Sequence, residues 1–173
     1  FFLFSATAGQ LCEKYDKAAV ARVVKQMEIA IMLVAALGFW LHNGVILMST
    51  ILLMGIHSTL FGPLKFSVLP QYLKPQELVG GNGLIEMGTF VSIILGQVAG
   101  TVLVNADPSR ITLIAALLAC ALAGYASARA MPPAPPTAAK LPIDWHIGRQ
   151  TWAIIREAKQ NRAVWLSLLG ISW

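Results

Sequence analysis

Hydrophobic residues run in long blocks along this chain, and short polar segments separate them. Four blocks approach or exceed the roughly 20 residues that an α-helix needs to cross a bilayer. They lie at about Val24–Leu41, Val45–Leu69, Leu84–Val104 and Ile111–Ala128. Two further blocks, Phe1–Cys12 and Val164–Trp173, are too short for whole spans and read as helices cut by the ends of the sequence. The connections are Glu13–Arg22, the tight turn His42-Asn43-Gly44, Pro70–Asn82, Asn105–Arg110 and Arg129–Ala163. This pattern predicts an all-α, polytopic membrane helix bundle. It divides into a transmembrane part at 1–128, a connecting segment at 129–163 and the start of another helix at 164–173.

Composition supports that reading and excludes a soluble domain. The chain is 57% hydrophobic and 12% charged, against about 25% charged in soluble domains. Its mean hydropathy is +0.67. The net charge of +5 is carried mainly by the first and fifth connections. The first holds Lys14, Lys17 and Arg22; the fifth holds Arg129, Lys140, Arg149, Arg156, Lys159 and Arg162; the third adds Lys74. If each block crosses once, these three connections share a side, and excess Lys and Arg marks that side as cytoplasmic. Residues 13–22, 70–82 and 129–163 are therefore expected in the cytoplasm, as loops of a multi-pass membrane protein. The charge reads as topology, and a nucleic-acid partner is not expected.

The segment MPPAPPTAAKLP, from Met131 to Pro142, favours extended polyproline II and a semi-rigid spacer. Asp144 is placed to cap a helix from Trp145 onward. Trp145 and Trp152 are seven apart with Ile155 near the same face, while Arg149, Arg156, Lys159 and Arg162 supply a polar side. Such a helix either lies in the headgroup plane or serves as a solvated connector.

No phosphate loop, zinc-ligand spacing or nucleophile elbow occurs, so the chain reads as non-enzymatic and calls for no cofactor or metal. Cys12 and Cys120 lie in different apolar blocks and are expected to be free thiols. The candidate chemistry lies inside the spans. Lys65 and Glu86 each sit about five residues inside a helix end, roughly 7–8 Å at 1.5 Å per residue. Adjacent antiparallel helices would bring them to one depth, where an ion pair lowers the cost of burying either charge. The alternative for Lys65 is snorkelling to the headgroups. His57, Phe61 and Lys65 step by four along one face, and Gly62-Pro63 is expected to interrupt their helix. His57 is either a proton site or a packing histidine.

The block after Leu84 carries two stripes. Glu86, Phe90, Ile93 and Gln97 form a candidate cavity-lining face, with the Gln97 amide near mid-membrane. Gly88, Ser92, Gly96 and Gly100 step by four and would let another helix approach closely. Gly80-Gly81-Asn82-Gly83 is expected to precede that helix as a hinge, a phosphate-contacting turn or an Asn-capped loop.

The first connection, Gly9-Gln10-Leu11-Cys12-Glu13-Lys14-Tyr15-Asp16-Lys17, resembles the loop signature of the major facilitator superfamily. Gly9, Glu13, Lys14 and Lys17 match; Asp16 stands at a glycine position and Ala18 at a usually basic one. FGPLKFSVLPQ (Phe61–Gln71), LVGGNGLIEMGTF (Leu78–Phe90) and QNRAVWLSLLGISW (Gln160–Trp173) together resemble the lysophospholipid transporter branch (LplT type) of that superfamily. The same module occurs in Aas-type proteins fused to acyltransferase and acyl-ACP synthetase domains. The resemblance implies a twelve-helix fold, of which this sequence would cover helix two to the start of helix seven, with 129–163 as the central cytoplasmic loop. It implies movement of lysophosphatidylethanolamine to the inner leaflet by alternating access, with membrane lipid and lysophospholipid as partners. Gly9, Glu13, Lys14 and Lys17 would form a conformational-switch loop. Lys65, Glu86, Gln97, His57 and Asn82 would line the pathway. Two other readings stay open: a facilitator for a drug or metabolite carried with protons, and the membrane module of a fused acyltransferase.

Overall fold

A computed structural model describes residues 2–106, 110–139 and 146–171. The described residues form helices α1 (Phe2–Lys14), α2 (Lys17–Trp40), α3 (Gly44–Ser67), α4 (Leu69–Tyr72), α5 (Leu78–Ala106), α6 (Ile111–Arg129), α7 (Ile147–Gln160) and α8 (Arg162–Ile171). A single 3-10 turn, Pro75–Glu77, leads into α5, and there is no strand among the described residues. Among the described residues, three stretches are long and apolar enough to cross a membrane: Gly44–Tyr72, Pro75–Ala106 and Ile111–Arg129. The fold is an all-α polytopic membrane architecture. Helix α2 is also of spanning length, and Arg22, Lys25 and Glu28 lie in its first half.

Each helix starts where local chemistry allows. The Asp16 carboxylate accepts from Ala19 N at 2.8 Å and caps α2. Asn43 caps α3 by accepting from the amides of Val45 and Ile46. His42, at φ 50°, turns the chain between them, a left-handed conformation that histidine tolerates better than most residues. Helix α2 packs on α3 and α6, and α1 packs on α3. Small residues make many of these contacts: Ala8, Ala18, Ala21, Ala35, Ala121 and Ala128 are all buried, beside the larger Val24, Ile31, Leu64 and Leu113. At Gly38 an added Cβ would lie 2.9 Å from Leu47 Cδ2, so glycine sets the approach of α2 to α3 near their turn. Large apolar side chains point outward instead, among them Ile51, Leu52, Ile94, Leu95 and Val98. Small residues inside and large ones outside is how membrane helices pack when lipid replaces water.

Several boundaries depart from the sequence reading. The first connection shrinks to Tyr15 and Asp16, because the Asp16 cap starts α2 at Lys17. Pro63 does not interrupt α3, which runs unbroken to Ser67. Residues 80–83 are not a loop before α5; they lie within its opening turns, and Asn82 is helical rather than a cap. No described glycine has positive φ. At Gly81 an added Cβ would collide with Leu73 Cδ1, so a side chain is missing there to make room for the chain arriving from α4.

The described part of the connecting helix α7 starts at Ile147 with His146 at its cap position. Lys140, Pro142, the Asp144 cap and Trp145 lie outside the described residues. Trp152 is not on the helix's inward face. It is 67% exposed and shares one side with Arg149 and Arg156. Thr151, Ile155 and Ala158 turn inward instead, and α7 packs against α1. At 100° per residue Trp152 falls between Lys159 and Arg156, well away from Ala158.

Candidate functional site

Helices α2, α3 and α5 border an open cavity of about 640 Å³. Its walls include His57, Ser58, Phe61 and Lys65 from α3, Glu86 and Thr89 from α5, and Glu28 from α2. The step of four along α3 is what aligns His57, Phe61 and Lys65 on one wall.

Lys65 points across to α5. Its Nζ lies 3.4 Å from Glu86 Oε1 and donates to Thr89 Oγ1 at 3.2 Å. It also sits 4.8 Å from the Phe66 ring centroid, a cation–π contact. The Lys65 side chain is 20% exposed and Glu86 45% exposed, so the pair is partly open to the cavity. This contact links α5 to the rest of the bundle, since α5 has no buried residue of its own.

A second charged group faces the same cavity, and it was not among the candidates from sequence. Lys25 Nζ donates to Glu28 Oε2 at 2.6 Å. Glu28 Oε2 in turn lies 3.4 Å from His57 Nε2. That contact is not aligned as a hydrogen bond, and the buried Nε2 has no hydrogen-bond partner among the described residues. Lys25 also stands 4.7 Å above the Phe61 ring, which stacks on His57 with centroids 6.2 Å apart. On the α6 side an added Cβ at Gly124 would lie 3.3 Å from Lys25 Nζ. The signal in the sequence was the same as for Lys65 and Glu86: a lysine and a glutamate inside an apolar block.

A separate apolar cavity of about 360 Å³ lies among α1, α2 and α3, lined by residues such as Leu11, Tyr15, Val23, Met27 and Leu60.

Glu13, Asp16 and Lys17 of the first connection are tied to the proline segment. Lys17 is 2% exposed. Its Nζ donates to Thr137 Oγ1 at 2.8 Å, and its backbone N donates to Ala134 O at 2.9 Å. Ala134 N donates to Asp16 Oδ2 at 3.1 Å, and Ala138 N donates to Glu13 O at 2.9 Å. From α4, Tyr72 OH donates to Pro132 O at 2.6 Å and Gln71 Nε2 to Pro135 O at 2.9 Å. The segment expected as a semi-rigid spacer thus straps over the ends of α1, α2 and α4. Proline suits this role because its fixed φ lowers the entropy lost on docking. Lys14 stands 5.9 Å from the Tyr15 ring centroid, and an added Cβ at Gly9 would meet open space.

Other candidates stay outside the cavity. Gln97 and Asn82 are exposed and do not line it. Gly88, Gly96 and Gly100 have nothing within 4 Å of an added Cβ, and Ser92 is exposed. Cys12 and Cys120 are free thiols.

The chain is similar to proteins described as lysophospholipid transporter LplT. Those of Salmonella newport, Salmonella heidelberg and Salmonella agona are each 35% identical to it over 128 residues, 74% of this chain. The match covers 29% of each relative, so the chain spans less than a third of the length of the curated relatives it matches. No family model and no solved structure matches the chain.

Proposed function

We propose that this chain is part of a lysophospholipid transporter of the major facilitator type, in a bacterial inner membrane. The observation that carries the reading is the Lys65–Glu86 pair on the wall of a cavity between apolar helices. A lysophospholipid combines a charged headgroup with one acyl chain. Lys65, with Thr89 beside it, suits the phosphate, and Glu86 suits an ammonium. Charge-assisted bonds of this kind hold a headgroup most strongly where water is scarce. The apolar cavity among α1, α2 and α3 offers a surface for an acyl chain. Similarity to proteins described as lysophospholipid transporters supports the same substrate class.

In this reading lysophosphatidylethanolamine moves from the outer to the inner leaflet, and two six-helix halves rock about a central cavity. The chain contributes helices of the first half, and the strap leads from it toward the second. The protein does no covalent chemistry itself, whether it stands alone or is fused to an acyltransferase.

The test uses the full-length protein in cells lacking their own lysophospholipid uptake, with labelled lysophosphatidylethanolamine followed into the inner leaflet. Uptake should occur, and Lys65→Ala or Glu86→Gln should lower it about tenfold or more at equal protein level, the loss of one charge-assisted contact. Full uptake by both variants would remove the pair from the pathway. No uptake by the inserted wild-type protein would reject the lipid, and collapse of another solute's uptake with the proton gradient would favour a proton-coupled facilitator.

A further inference from the structure

We propose that Glu28 and His57 form a second headgroup station in this cavity, taking a phosphate–ammonium zwitterion in exchange for the internal Lys25–Glu28 pair. The inference rests on the lysophospholipid reading and extends it to residues outside the Lys65 site.

Both ends of the cavity have the same chemical make-up. One has a lysine, a carboxylate and a neutral donor in Lys65, Glu86 and Thr89. The other has Glu28 and His57 on the wall, with Lys25 paired to Glu28. His57 and Lys65 are eight residues apart on one helix, so the two groups lie about 12 Å apart at 1.5 Å per residue. A single headgroup is too short to engage both. They suit successive positions of one headgroup along α3.

The second group is also built to exchange partners. Charges this far from water need matching charges; the side chains of Lys25, Glu28 and His57 are only 18%, 17% and 5% exposed. A zwitterion can replace an internal ion pair without leaving net charge. Its ammonium takes the place of Lys25 on Glu28, and its phosphate accepts from the freed Lys25. The His57–Glu28 bond is left unmade at 3.4 Å, and the buried Nε2 has no hydrogen-bond partner among the described residues. Buried polar groups are rarely left this way, and a phosphate at the cavity wall would offer Nε2 a better-aligned partner than the Glu28 carboxylate gives it. Glu28 itself lines the open cavity.

The test compares two lipids of equal chain length in proteoliposomes of the full-length protein: zwitterionic lysophosphatidylethanolamine and anionic lysophosphatidylglycerol, which has no ammonium. Glu28→Gln should raise the half-saturating concentration of the ethanolamine lipid about tenfold, the value of one charge-assisted contact. It should leave that of the glycerol lipid unchanged or lower it, because Lys25 is then free for the phosphate, and Glu28→Asp should restore part of the loss. His57→Ala should weaken both lipids, because both carry the phosphate. Where Glu28→Gln fails to fold, the double variant Lys25→Gln/Glu28→Gln removes both charges together and should show the same loss of headgroup discrimination. Equal shifts for both lipids, or none, in folded Glu28 variants would overturn the station and leave the network a structural tie. Absence of both activities in the wild type would instead reject the transport reading, and the station with it.

Discussion

Asp16 does two jobs with one carboxylate: Oδ1 caps α2 through Ala19 N, and Oδ2 accepts from Ala134 N in the strap. Removing it leaves two amides to find other partners. Asp16→Ala in the full-length protein should cost about 1–2 kcal/mol, the range for a lost cap plus one further bond. Thermal unfolding in detergent should show the lower midpoint, and limited proteolysis should cut faster between residues 131 and 139. An unchanged midpoint and cutting rate would mean that the strap is held without Asp16. At this scale the sequence was legible where a charge stood deep in an expected span, as for Lys65 and Glu86. Lys25 and Glu28 carried the same signal but seemed to lie at a helix entrance, because the span was expected to start at Val24. The Asp16 cap moves the start to Lys17 and places both residues well inside the helix. The burial of Lys17 had no local signal, since its cover comes from residues more than a hundred positions away.

Helix existence was readable from apolar block length, because a membrane span must satisfy its backbone internally. Helix ends were not. Gly80 to Gly83 looked like a loop because glycine is conformationally permissive, yet the residues are helical, and Gly81 serves to admit Leu73. Helix α5 shows how far a face can be read without its partner. Gly88, Ser92, Gly96 and Gly100 form a small-residue stripe, and α5 buries none of its residues within this chain. The stripe's spacing suits close approach by another helix of the full-length protein. Gly96→Leu should therefore lower the yield of folded full-length protein, read as the monodisperse fraction in size-exclusion chromatography after detergent extraction. Val98→Leu, on the same helix but off the stripe, should leave it unchanged. Equal behaviour of the two variants would assign the stripe to lipid contact alone.

For the whole molecule, the basic connections and the helix order make one consistent prediction of sidedness. The strap binds the α1–α2 turn and α4, so these three segments must share a face of the membrane if α2 and α3 each cross once. The α2–α3 turn at His42 and Asn43 must then lie on the opposite face, and it has no Lys or Arg to hold it in the cytoplasm. Single-cysteine variants of the full-length protein, with native cysteines replaced, test this directly. Leu41→Cys, at a position 55% exposed beside that turn, should react with a membrane-impermeant maleimide in intact cells. Ala139→Cys, exposed at the end of the strap, should react only after the membrane is opened. The hydrogen bonds of the strap tie both tests to one geometry. If Ala139→Cys reacted in intact cells while Leu41→Cys did not, the whole assignment would invert. If both reacted from outside, α2 and α3 would not cross as a pair.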